Sequence, residues 1–202
     1  MPRERHSFQP APSVATRRDN TATSDTHAVT ILCGVSGLEL PLHHHLESLG
    51  LRVDQMAATV LLLDLPYGFA LRTLERMDRT NRRVVVLTET SCPEYRESLW
   101  DLQPASVLTR IQLDQALVEL LGRVARGDRY RPDPQRSSSL TAPERAVLQA
   151  LARGWNNRRI AAHLHVEEKT VRNTLTTIYA KLKVTNRVEA ALYYWSREDL
   201  VL

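Results

Sequence analysis

The sequence predicts an α/β domain with a parallel sheet, followed by a smaller all-α domain. Three observations carry that reading. The first half holds four near-continuous apolar runs, segments of helical spacing lie between those runs, and after Leu140 every apolar pattern has the helical period.

Residues 1–27 mix Pro, Arg, Ser, Thr and Asp with hardly any apolar periodicity, so burying them would not repay the entropy of ordering them, and a disordered tail is expected. The apolar runs are AVTILCG (28–34), TVLLLDL (59–65), RRVVVLT (82–88) and ASVLT (105–109). Strands buried on both faces of a parallel sheet read as continuous apolar runs, whereas half-buried strands alternate. Between the runs lie LPLHHHLESLG, FALRTLERM, PEYRESLWDL and QLDQALVELLGRVARG, the last with Leu113, Leu117, Leu120, Leu121 and Val124 on one stripe. Strands alternating with helices imply βαβ units. Only LRVDQMAA separates Gly50 from the second run, which leaves room for one short strand but not for a strand, a helix and two turns. The first domain is placed at 28–128. The stretch RYRPDPQRSSS, with two prolines and a serine run, reads as an extended linker over 129–139.

The second domain, 140–202, opens on a helix start with a mechanism. Thr141 can cap, Glu144 can bond back to its amide, and Pro143 is tolerated in the first turn. Ala146, Val147, Ala150 and Leu151 form the apolar face of a helix over about 142–153, and Gly154 stops it. Asn156 or Asn157 can cap a second helix with Ile160, Ala161 and Leu164 inside. A short turn leads to a longer helix whose buried stripe is Val171, Leu175, Ile178 and Leu182. Its other face presents Lys169, Thr170, Arg172, Asn173 and Thr176. A short helix, a tight turn and a longer helix with a cationic, amide-bearing outer face make a helix-turn-helix. The last helix runs from Val188 to Arg197.

The composition sets limits on function. A chain of 202 residues, 43% hydrophobic, can bury a core, and its net charge of +4 is mildly suited to polyanionic partners. Cys33 and Cys92 have no metal-ligand spacing, the longest apolar stretch is too short to span a membrane, and no secretion signal is present, so a cytoplasmic location without membrane attachment is expected. No glycine-rich phosphate loop is present, and adjacent His43, His44 and His45 point in different directions on a helix. Neither a metal site nor a cofactor nor an enzyme activity is expected.

The run LTAPERAVLQALARGWNNRRIAAHLHVEEKTVRNTLTTIYAKLKVTNRVEAALYY closely resembles the LuxR/NarL-type, or GerE, DNA-binding domain. The shared features are LTxxE, the Gly-x-x-Asn turn, the Ile-Ala pair, Lys-Thr-Val-Arg-Asn and a late Arg-x-Glu-Ala. The resemblance implies duplex binding in the major groove. Arg172 and Asn173 can make bidentate contacts to guanine and adenine, with Thr176 one turn later. Lys169 and Thr170 at the helix start, with Asn157, Arg158 and Arg187 beside it, would hold phosphates. Glu167 stands where the family usually has a serine cap. The family's last helix pairs two subunits, which would place Val188, Ala191, Leu192 and Trp195 in a homodimer contact and require an inverted-repeat promoter site.

The first domain resembles a response-regulator receiver of the CheY-like fold. Asp64 ends a strand where the phospho-accepting aspartate would sit, Thr88 stands at the switch hydroxyl, and Thr109 occupies the place of the lysine that would pair with the acyl phosphate. The Mg²⁺-binding acids are replaced by Cys33-Gly34-Val35-Ser36, although a hard cation needs carboxylate oxygens. The expected protein is therefore a DNA-binding transcriptional regulator with a pseudo-receiver. It would act as a homodimer without ordinary aspartyl phosphorylation, under the control of a small-molecule ligand, a partner protein or simple changes in abundance. The alternative is a conventional two-component regulator phosphorylated on Asp64.

Overall fold

The computed structural model describes residues 27–109, 112–132 and 138–195. Most of the expected tail, part of the expected linker and the chain beyond Trp195 lie outside the described residues. The elements, in chain order, are β1 (Ala28–Cys33), α1 (Glu39–Ser48), β2 (Arg52–Val53), β3 (Thr59–Leu63), α2 (Phe69–Arg76), β4 (Arg83–Leu87), α3 (Pro93–Asp101), β5 (Ser106–Leu108), α4 (Gln115–Ala125), α5 (Ala142–Ala152), α6 (Asn157–Leu164), α7 (Glu168–Leu182) and α8 (Arg187–Tyr194).

The five strands form one parallel sheet in the order β2-β1-β3-β4-β5. Strand alternation divides its side chains between two cores. Val60, Leu62, Val84, Val86 and Val107 face α2 and α3, and their cluster continues into the interior of α5–α8. Leu61, Leu63, Val85 and Leu87 face α1 and α4.

The tight passage from β2 to β3 has a simple geometric cause. Strand β2 is two residues long, and Val29 of β1 is level with Val53 on one side and with Thr59 on the other. The chain leaves β2 at the height where β3 begins, so it passes beneath β1 and needs no returning helix. The buried Thr30 hydroxyl lies 2.8 Å from the Asp54 carbonyl and 3.1 Å from that of Ala57, which fixes the crossing.

The second unit packs on the first through α3 and α5. Arg145 Nη2 reaches both carboxylate oxygens of Asp101 at 2.8 and 3.0 Å, Arg153 and Gln149 both reach Glu75, and the Tyr193 hydroxyl donates to Glu94 at 2.7 Å. The connecting chain is held as well. The Tyr130 amide bonds the Ala105 carbonyl at the β5 edge, Arg131 pairs with Glu97 over the Trp100 ring, and Ser138 and the Ser139 amide reach Glu94.

Candidate nucleic-acid interface

Helix α6 starts at Asn156, whose side chain accepts the Arg159 amide at 2.9 Å, so of the two asparagines Asn156 is the cap. It ends at His165 in the left-handed conformation, φ 55°, which turns the chain sharply into α7. Val171, Leu175 and Ile178 of α7 are buried and fix its rotation. That rotation leaves Lys169, Thr170, Arg172, Asn173 and Thr176 exposed together on the opposite face. Glu167 precedes α7 without a side-chain cap bond.

Several of these side chains already have local partners. The Thr176 hydroxyl donates back to the Arg172 carbonyl at 3.2 Å, as Thr174 does to Thr170 at 2.9 Å. Arg172 lies 3.8 Å from Glu168, an exposed pair that costs little to break. Arg158 is exposed, whereas Asn157 is half-buried and its Oδ1 is shielded without a partner. Arg187 donates to the Trp155 carbonyl at 2.8 Å, which ties the start of α8 to the turn before α6. Composition gave no reason to single out Trp155. Its ring lies under the Arg159 guanidinium at 4.4 Å and against His163, and so supports this turn.

On α8, Val188 is 62% exposed, while Ala191 and Leu192 are half-buried. Trp195 is occupied within the chain. Its indole nitrogen donates to the Ala152 carbonyl at 3.0 Å, and its ring meets Tyr95 and Tyr194 at centroid distances of 5.8 and 5.1 Å.

In the first unit the chain brings Asp64 and Thr88 together and leaves Thr109 apart. Asp64 is fully buried, accepting the Ala70 amide at 2.8 Å on Oδ1, and on Oδ2 the Thr88 hydroxyl at 3.0 Å and the Tyr95 hydroxyl at 2.7 Å. Burial raises its carboxyl above the ordinary value, against the pull of those bonds and of the Gly68 backbone. Burial and the neighbouring Asp64 charge push the Tyr95 phenol up, so Tyr95 stays protonated and donates. Thr109 follows β5, half-buried, without a bond to Asp64. The loop where an acid pair would stand is filled. The Gly34 amide bonds the Leu65 carbonyl at 2.8 Å, and a Cβ on Gly34 would lie 2.5 Å from the Phe69 ring. Tyr95 and Phe69 escaped sequence reasoning because each acts across the fold and belongs to no spacing pattern. His45 bonds the Leu113 carbonyl at 2.8 Å.

Residues 138–194 match the family of bacterial regulatory proteins described as the luxR family, GerE. The chain is 32% identical over 133 residues to SgaR of Hyphomicrobium methylovorum, a probable transcriptional regulatory protein, covering 61% of this chain and 62% of that one. It is 26% identical over 177 residues to the transcriptional regulatory protein DesR of Bacillus subtilis, covering 79% and 89%. Its fold is similar to that of RcsB from Salmonella enterica serovar Typhimurium bound to promoter rprA, with a TM-score of 0.50 at 19% identity over 85% of this chain and 99% of that one. Residues 138–194 thus match the luxR family of bacterial regulatory proteins, and the chain joins that segment to a five-stranded parallel α/β domain, an arrangement similar in fold to RcsB.

Proposed function

We propose that the protein binds promoter DNA as a homodimer at an inverted repeat, and that its receiver-like domain works without ordinary aspartyl phosphorylation, under a small-molecule ligand or a partner protein. The observation that carries the DNA reading is the exposed set Lys169, Thr170, Arg172, Asn173 and Thr176 on a helix whose rotation is fixed by buried Val171, Leu175 and Ile178. Arg172 and Asn173 read base edges in this account, and Lys169, Thr170 and Arg158 hold phosphates. Val188, Ala191 and Leu192 offer the two-fold contact. The division into a receiver-like unit over 28–128, a connector over 129–139 and a DNA-binding unit from 140 belongs to the same reading, as does action in the cytoplasm. No helix among the described residues is long and apolar enough to cross a membrane.

Independence from phosphorylation draws support from Asp64, whose carboxylate oxygens are buried and bonded, and from Phe69, which fills the space beside Gly34. A phosphoryl donor would have to displace Tyr95 and would find no carboxylate at Cys33 or Gly34 to hold Mg²⁺. One relationship favours the conventional alternative: Thr88 lies 3.0 Å from Asp64, as a switch hydroxyl would.

Selection of bound sequences from random duplex DNA by the full chain tests the DNA reading. An inverted-repeat motif that degrades with Arg172→Ala or Asn173→Ala supports it. The absence of any enriched motif refutes it.

A further inference from the structure

A cavity of about 390 Å³ opens at the amino-terminal edge of the sheet, the end opposite Asp64. Four arginines line it: Arg79 and Arg82 from the turn between α2 and β4, Arg83 at the start of β4, and Arg129 from the chain after α4. We propose that this cavity binds a small phosphorylated solute. The proposal rests on the ligand-controlled reading given above and places the ligand away from the degenerate phosphorylation site.

The backbone holds the arginines around the concavity. The Arg82 amide bonds the Arg79 carbonyl at 3.0 Å, closing a turn in which Asn81 takes the left-handed conformation. The Arg83 amide bonds the Ala58 carbonyl at 2.8 Å, anchoring that residue to the sheet. One nitrogen of Arg129 reaches the Gln103 and Pro104 carbonyls at 3.1 and 3.2 Å, leaving most of its five donors for a ligand.

The charges of the lining are not balanced. Its one carboxylate, Asp128, takes the Arg123 guanidinium at 3.1 Å. Asp78, near Arg82, is exposed and holds the Thr80 amide. Among the described residues none of the four arginines lies within 4.0 Å of a carboxylate, whereas Arg131, Arg145 and Arg153 are each paired with one. Like charges gathered around a concavity repel one another until an anion enters, and guanidinium forks match phosphate oxygens in pairs. The volume lies in the range of small-molecule sites. A duplex backbone, in contrast, tracks a row of cations over an open surface, and the exposed cations of α7 belong to the other unit.

Inorganic pyrophosphate is the probe. Calorimetry of the full chain at fixed ionic strength should show one saturable site. Arg79→Gln with Arg129→Gln should weaken it about tenfold or more, since bonds to charged groups carry that weight, while Arg79→Lys alone, which keeps the charge and loses the fork, should weaken it less. These side chains are exposed, so the variants should keep the wild-type circular dichroism and melting temperature. Absence of saturable binding to the wild type, or binding unchanged in the double variant, overturns the proposal. It is also overturned if the double variant loses duplex affinity and salt dependence while pyrophosphate fails to bind, for the arginines would then be DNA contacts. Saturable pyrophosphate binding at these arginines that leaves duplex affinity unchanged supports the site and refutes ligand control of DNA binding.

Discussion

The Tyr95 hydroxyl donates to Asp64 at 2.7 Å while the same ring meets Tyr194 edge to face at a centroid distance of 5.5 Å. One side chain on α3 therefore touches both the acid at the carboxyl edge of the sheet and the last helix of the DNA-binding unit. Tyr95→Phe keeps the ring contact and removes one of the donors to a buried carboxylate. The expected loss is about 1–3 kcal/mol of stability, read by urea unfolding.

Asp64 also gives a pH dependence of definite sign. Its carboxyl is raised above the ordinary 3.8 by burial, so the folded state binds more protons than the unfolded state between 3.8 and the folded value. Stability contributed by this group therefore falls as pH rises through that window. Asp64→Asn removes the term, and the difference between wild-type and variant unfolding free energies should change in that direction from acid to neutral pH. A flat difference would contradict the burial argument. Glu144 and Glu189, held low by hydrogen bonds, act in the opposite sense in both proteins and cancel in the comparison.

Gly68 is the position where substitution meets two obstacles at once. Its φ of +81° is unfavourable for any side chain, and an added Cβ would lie 2.7 Å from the Trp195 ring. Gly68→Ala should destabilise the chain by more than about 1 kcal/mol. It should also blue- or red-shift the Trp195 fluorescence, read against a variant lacking that indole, because the ring must leave its seat on Tyr95.

Glu94 is almost fully buried and accepts from Tyr193 at 2.7 Å and from Ser138 and the Ser139 amide at 3.3 Å each. Glu94→Ala removes the acceptor that those donors share and should cost about 1–3 kcal/mol in urea unfolding, while Glu94→Gln, which keeps an acceptor, should cost less.

On DNA, Arg172→Ala and Asn173→Ala should each lose about 1–3 kcal/mol against the selected duplex and relax one base position. Lys169→Ala should weaken all duplexes alike and reduce the salt slope by about one. Fluorescence anisotropy across a salt titration distinguishes the two behaviours.

The sequence was legible where the chemistry is local. The continuous runs located β1, β3, β4 and β5, the eight residues before Thr59 announced a short strand with no helix after it, and the period of Val171, Leu175 and Ile178 set the outer face of α7. Residues that act across the fold were not legible. Tyr95 reaches Asp64 over 31 positions and Tyr193 reaches Glu94 over 99, and no periodicity records such a partnership. Trp195 shows the same limit, since an aromatic at the end of an amphipathic helix fits a second subunit as well as Ala152 and Tyr95 of its own chain.

The most direct test measures the affinity of the full chain for its selected duplex before and after incubation with beryllofluoride and Mg²⁺, the phosphate mimic. With Asp64 buried beneath Tyr95 and Phe69 beside Gly34, the account predicts an unchanged dissociation constant. A tightening of about tenfold or more that disappears in Asp64→Asn would contradict it and establish conventional aspartyl phosphorylation.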